Sequence, residues 1–247
     1  MIFNVISIFP EMFECITKYG ITSKAYNNNL YELNCINPRD YTTNIHKKID
    51  DKTYGGGPGM VMMVEPLDLA MKKAIELSKD TVPLKVYLSP QGKTVNQDMI
   101  KNLSLEKSII FVCGRYEGVD ERFIENNIDL ELSLGDFVIS GGELPAMAIM
   151  DGIIRHLPNA LHDCNSAVMD SFMNGLLDYP HYTVPRVYKN NSVPDILLSG
   201  NHKQIERWRL QMSLWNTFKK RPELIKKRNL NKLESGLLDE IIKIKSK

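Results

Sequence analysis

No stretch of this chain approaches the roughly 20 consecutive apolar residues that span a bilayer, so no transmembrane helix is expected. The opening residues, Met1-Ile2-Phe3-Asn4-Val5, carry neither a basic segment nor a small-residue cleavage site, and no signal peptide is expected there. Cysteine is sparse. Cys15, Cys35, Cys113 and Cys164 lie far apart, with no C-x-x-C pair. That spacing argues against a zinc site or a disulfide framework, and it reads as reduced core cysteines in a cytoplasmic protein. A phosphate loop is also missing. Gly55-Gly56-Gly57-Pro58-Gly59 lacks the following Lys-Ser/Thr pair. It follows a polar loop and precedes a strand, so it reads as a flexible turn or as a substrate-gating loop.

What is present suits a globular protein. The 247 residues are 43% hydrophobic and 25% charged, enough to bury a core in one large domain or two small ones. The net charge of +1 hides an asymmetry. From Asn201 onward there are 13 Lys/Arg against 5 Asp/Glu; residues 1–200 hold 18 against 25. A basic tail on an acidic body fits a polyanion such as nucleic acid, or simply a solvated lysine-rich helix face.

Periodicity predicts strands at Ile2–Phe9, Leu30–Ile36, Met60–Val64, Leu84–Leu88, Ser108–Val112 and Leu130–Leu134. Helices are predicted at Pro10–Tyr19 (closed by Gly20), Pro66–Ser78, Asn96–Leu103, Asp120–Asn126 and Glu143–His156. Pro38 to Gly59 reads as a long loop. Strands alternating with helices predict an α/β fold with a mostly parallel sheet. After Pro158 the sequence turns irregular, and from His202 it is helical again, which predicts a small C-terminal all-α domain. The boundaries expected are 1–160, a linker at 161–175, and 176–247. Ile205, Trp208, Met212 and Trp215 share one helical face and read as core rather than as stacking platforms. A basic amphipathic helix is expected at Leu233–Ile244.

Three segments follow strands directly: Ser89–Gly92, Gly114–Gly118 and Ser133–Glu143. In a parallel sheet the carboxyl ends of neighbouring strands share one edge, where ligands bind. Glycine lets backbone approach a ligand closely. Three such segments in order predict a backbone-lined pocket. Glu117, Asp136, Asp170 and Asp178 are acid–base candidates, with Arg115 and Arg155 as nearby cations. Read alone, Arg155 is a helix-end dipole partner and Asp170 a turn residue.

At these residues the chain resembles the bacterial tRNA guanine-N1 methyltransferases, a knotted group of S-adenosylmethionine enzymes. The resemblance runs through Ile8–Phe13, Tyr54–Met60, Leu88–Lys93, Cys113–Arg122, Ser133–Ala146, Asp151–Pro158, Asp170–Phe172, Gly175–Asp178, Pro180–Thr183 and Ser199–Arg209. It implies a deep trefoil knot, which periodicity does not predict. It implies a homodimer with the active site at the subunit interface, and methyl transfer to N1 of guanine 37 in tRNA, with the helical domain helping to hold the tRNA. By matching motifs, the methyl donor S-adenosyl-L-methionine is held by Leu88, Ser89, Pro90, Gly92, Gly114, Tyr116, Glu117, Ser133, Leu134, Gly135, Asp136, Phe137, Val138, Ile139, Gly141, Gly142 and Pro145. The catalytic base falls on Asp170 and the assisting cation on Arg155. Magnesium is implied, and the sequence fixes no site for it. The chain departs from the family pattern at Met169, where an acidic residue is usual, at Val184, where an arginine is usual, and at Asn159, where a glycine is usual.

Overall fold

The computed structural model describes residues 1–161 and 170–245. Cys164 and Met169 lie outside the described residues. The chain forms two compact units, Met1–Cys164 and Asn165–Lys247.

The first unit is built on a five-stranded sheet in the order β2-β1-β6-β5-β7. Its strands are β1 (Ile2–Ile6), β2 (Glu32–Ile36), β5 (Leu84–Thr94), β6 (Ser108–Cys113) and β7 (Leu130–Ser133). Every pairing is parallel. β6 is central, and all six of its residues are buried, as a strand covered on both faces must be. Side chains alternate across the sheet. Phe3, Val5, Ile109, Phe111, Val86, Leu88 and Leu132 face one core, together with Ile149, Met150 and Ile153 of α6 (Glu143–Ile154). Ile6, Ile110, Val112 and Tyr87 face the other, with Leu67, Ala70 and Met71 of α3 (Val64–Leu77) and Phe123 of α5 (Glu121–Asn127). Asn4 interrupts that second face, but it is not an orphan. Its amide donates to Ala74 O at 3.1 Å and Ser78 Oγ at 2.9 Å, so its burial carries no desolvation penalty from unmade hydrogen bonds.

The predicted α/β class and parallel sheet are observed, with three differences. Gly20 does not close one long helix. Pro10–Phe13 is a 3-10 turn, α1 is Glu14–Lys18, and Gly20, at φ +69°, opens a second helix, α2 (Gly20–Asn27). The left-handed backbone breaks the axis, and the chain turns instead of stopping. The long loop at 38–59 contains a 3-10 turn at Pro38–Tyr41 and a short strand, β3 (Asp50–Asp51), which pairs antiparallel with β4 (Val61–Met62). Only Cys113 of the described cysteines is buried; Cys15 and Cys35 are exposed. The expectation of core cysteines fails for that pair.

The second unit is mainly helical, with one two-stranded hairpin, β8 (Val187–Tyr188) and β9 (Asn191–Ser192). Its helices are α7 (His202–Lys220), α8 (Pro222–Lys227) and α9 (Lys232–Lys245); α4 (Gln97–Leu103) completes the numbering in the first unit. Leu176, Leu214, Leu237, Leu238 and Ile241 form its core, flanked by Leu210, Met212 and Trp215. The expected stripe is thus rotated. Trp208 is half-buried beside Tyr182, with ring centroids 6.4 Å apart, and does not join the cluster.

Candidate active site

At Leu88, β5 is level with the ends of β6 and β7. Leu88 lies opposite Cys113 on one side and Leu132 on the other. The segments that leave those positions therefore share one sheet edge. The first is not a turn after a strand, as expected, but an excursion within β5. Leu88 and Lys93 both pair with Leu132, so Ser89–Gly92 are extruded from the ladder before pairing resumes.

The three segments enclose a cavity of about 420 Å³, within the range of small-molecule sites. Leu88, Ser89 and Pro90 line it from the first segment, and Gly114, Tyr116 and Glu117 from the second. The third contributes Ser133, Leu134, Gly135, Phe137, Val138, Ile139, Gly141 and Gly142; Pro145 lines it from α6. Gly92 and Asp136 do not line it. Gly92 is small for another reason, because a Cβ there would land on the backbone of Leu132. It lets the extruded segment rejoin the sheet. Gly142 closes the site in the same way. A Cβ there would sit 2.7 Å from Cys113 Cα, and its N–H donates to Gly114 O at 3.0 Å. The second and third walls are thus joined backbone to backbone.

Tyr87 forms part of the cavity wall, and burial, followed by the Glu131 charge, pushes its phenol up to about 12. It remains a neutral O–H near pH 7. The glycine-rich loop also reaches this site. Glu117 N donates to Met60 O at 2.9 Å, and Met62 N to Gly118 O at 2.9 Å. Residues 55–59 thus feed a strand laced to the second wall.

Sequence reasoning passed over one arrangement. Glu143, at the first turn of α6, is fully buried. Ser7 Oγ donates to its Oε1 at 2.8 Å, and Arg115 Nε to its Oε2 at 2.9 Å. The signal was an acid at the start of a largely apolar helix, a residue type that is almost never fully buried without a partner.

The two catalytic candidates lie elsewhere. Arg155 caps the C-terminus of α6 in the first unit. Asp170 belongs to the second unit, in a turn where Met173 N donates to Asp170 O at 3.3 Å. There it lines a cavity of about 280 Å³ with Asp178, Tyr179, Glu206 and Arg209. Arg209 stacks over the Tyr179 ring at 4.9 Å, and its buried Nε has no hydrogen-bond partner among the described residues. His181 Nε2 contacts Asp178 Oδ2 at 2.9 Å. Of the departures, Val184 is exposed, and Asn159 adopts the left-handed backbone at φ 67° that a glycine would take freely.

Comparison with known proteins settles the family. The family described as tRNA (Guanine-1)-methyltransferase TrmD matches residues 1–227. A "tRNA (guanine-N(1)-)-methyltransferase" of Pseudomonas syringae pv. tomato is 53% identical over 240 residues, 97% of this chain and 96% of that protein. One of Pseudomonas savastanoi pv. phaseolicola is 53% identical with the same coverage. One of Pseudomonas fluorescens strain SBW25 is 52% identical over 239 residues, 97% of this chain and 95% of that protein.

The chain belongs to the tRNA (guanine-1)-methyltransferase family.

A methyltransferase of this family implies S-adenosylmethionine as methyl donor. The first cavity fits such a group, being of ligand size and walled by backbone that glycines leave open. Among the described residues no three His, Cys, Asp or Glu side chains converge into a metal-ligand group. No helix of the described residues is long and apolar enough to cross a membrane.

Proposed function

We propose that this chain transfers the methyl group of S-adenosylmethionine to N1 of guanine 37 in tRNA, beside the anticodon. The observation that carries the reading is the convergence of three strand-end segments on one backbone-walled cavity, in a chain of this family. The donor, when bound, supplies an electrophilic sulfonium methyl. The cavity residues hold it through backbone groups and exclude water.

Guanine N1 bears a proton, and its lone pair is delocalised, so it attacks poorly until that proton leaves. Asp170 accepts the proton as general base. Arg155 stabilises the negative charge that develops on guanine O6. Support for Asp170 is its setting. A 280 Å³ cavity lined by three carboxylates, an arginine and a tyrosine offers acceptors for the N1–H and N2–H edge of a guanine, and an aromatic ring beside it.

The same reading includes a homodimer with the active site at the subunit interface. Its support is the apolar exposure of the third wall, where Val138 is 85% and Phe137 56% exposed. It also includes the trefoil knot, magnesium as a requirement for activity, a cytoplasmic enzyme, and donor binding by residues 1–160 joined through 161–175 to a tRNA-holding domain, 176–247. The test is methylation of tRNA with guanine or adenine at position 37, with the product base identified. Methyl on N1 of guanine 37 alone is expected; methyl on another atom, or undiminished transfer without that guanine, overturns the reading. In the same assay Asp170→Asn should cut turnover at least about 100-fold while calorimetry still shows donor binding.

A further inference from the structure

The proposed reaction gives no role to the Arg115–Glu143 pair. Glu143 is fully buried, and the Arg115 side chain is 18% exposed, so the pair sits at the inner side of the cavity wall. Burying an ion pair rarely adds stability over well-packed apolar residues, because both charges lose their hydration. Its presence therefore asks for another explanation.

The geometry supplies one. Arg115 belongs to the second wall, and its three nitrogens all reach other segments of the first unit. Nε binds Glu143 Oε2 at 2.9 Å, Nη1 binds Ser140 O at 3.1 Å and Ser140 Oγ at 3.3 Å, and Nη2 lies 3.7 Å from Met12 Sδ. One guanidinium face covers the Phe9 ring at 4.6 Å. One planar fork thus grips the loop at Ser140 and the start of α6 at Glu143, both of which bound the third wall. Glu143 is anchored in turn by Ser7, just beyond β1. Gly141 leaves the space the guanidinium occupies, since a Cβ there would meet Arg115 Nε.

We propose that Arg115 and Glu143 are positioning residues, a buried clamp that holds the second and third walls at the separation the methyl donor requires. The inference rests on the reading of this cavity as the donor pocket. The clamp acts on the loops and leaves the reacting atoms to other groups, so its loss weakens donor binding more than turnover. Lysine cannot replace Arg115 fully, because an ammonium lacks the planar fork that serves Glu143 and Ser140 together.

The test compares the full chain with Arg115→Lys, with Arg115→Met, and with the double variant Arg115→Met/Glu143→Met. Each is measured for melting temperature, S-adenosylmethionine Kd by calorimetry, and KM and kcat for donor and tRNA. Arg115→Met alone strands a buried carboxylate and lowers the melting temperature. The double variant removes both charges and recovers most of that loss. Its donor Kd and donor KM nonetheless stay weaker by about tenfold, as expected for coupled groups, with a smaller change in kcat and in tRNA KM. Arg115→Lys falls between the full chain and the double variant. A double variant with recovered melting temperature and full donor affinity overturns the clamp, as does a loss borne mainly by tRNA KM. Ile139→Trp, which crowds the same cavity, is the control on the pocket itself. If the full chain binds the donor and this variant binds it equally well, the cavity reading fails; if the variant blocks binding and the double variant does not weaken it, only the clamp fails.

Discussion

At the scale of single residues, two glycines do different work that the sequence writes identically. Gly92 permits a backbone crossing inside the sheet, and Gly142 permits contact between two walls of the cavity. Gly92→Ala should destabilise the first unit by about 2–4 kcal/mol, since neither β5 nor β7 can give way without losing ladder hydrogen bonds. Urea unfolding checks it. Gly142→Ala should cost less stability and more donor affinity, because relief of its clash with Cys113 moves the cavity wall; calorimetry beside the urea curve separates the two. The contrast shows where sequence reading stops. A glycine after a strand marks a place where backbone comes close to something, and only the fold says whether that is ligand or another strand. Asp136 illustrates the same limit: it stands within the third segment, yet it does not line the cavity its neighbours form.

At the scale of elements, helices are held by local chemistry that sequence can show and by partners that it does not show. Asn231-Lys232-Leu233-Glu234 forms a capping box that periodicity, which begins the helix at Leu233, does not single out. Glu234 N donates to Asn231 Oδ1 at 2.9 Å and Asn231 N to Glu234 Oε2 at 3.1 Å, closing the first turn of α9. Asn231→Ala should cost about 1 kcal/mol of unfolding free energy, read by chemical denaturation. The long-range partner was not legible. Arg228 Nη2 binds Glu234 Oε1 at 2.6 Å, and Arg228 Nη1 binds the carbonyl of Asn174, in the turn that carries Asp170. The Arg228 hydrogen bond holds the Glu234 carboxyl below its ordinary value. A depressed carboxyl contributes stability that is present above the unfolded value, near ~4.3, and is lost as pH falls through the folded one. Glu234→Gln should therefore be less stable than the native chain at neutral pH, and the gap should narrow on acidification below about pH 4. Thermal melts of the two proteins across pH 3–7 test this; a gap constant with pH would assign the effect to packing alone.

At the scale of the whole molecule, the parallel sheet followed from strands and helices alternating along the first 156 residues, and the shared edge followed from the sheet. The extrusion of Ser89–Gly92 did not, because two residues pairing with one Leu132 is a property of register, not of periodicity. Charge was legible as a sum and not as a surface. The described structure resolves the sum in part. Lys219, Lys220, Lys226 and Lys227 stand at the ends of α7 and α8, where basic side chains also suit the helix dipole. A dipole role and a tRNA-binding role predict different salt behaviour. Polyanion binding releases counterions, so log affinity falls linearly with log salt, by roughly 0.7–0.9 for each phosphate neutralised. Changing all four lysines to glutamine should weaken tRNA binding and flatten that slope by up to about 3. Donor affinity should stay unchanged, since none of the four lines the first cavity. Filter binding from low to moderate salt measures the slope. An unaltered slope with a lowered melting temperature would return these lysines to the helix ends and leave the tRNA to other basic groups of the chain.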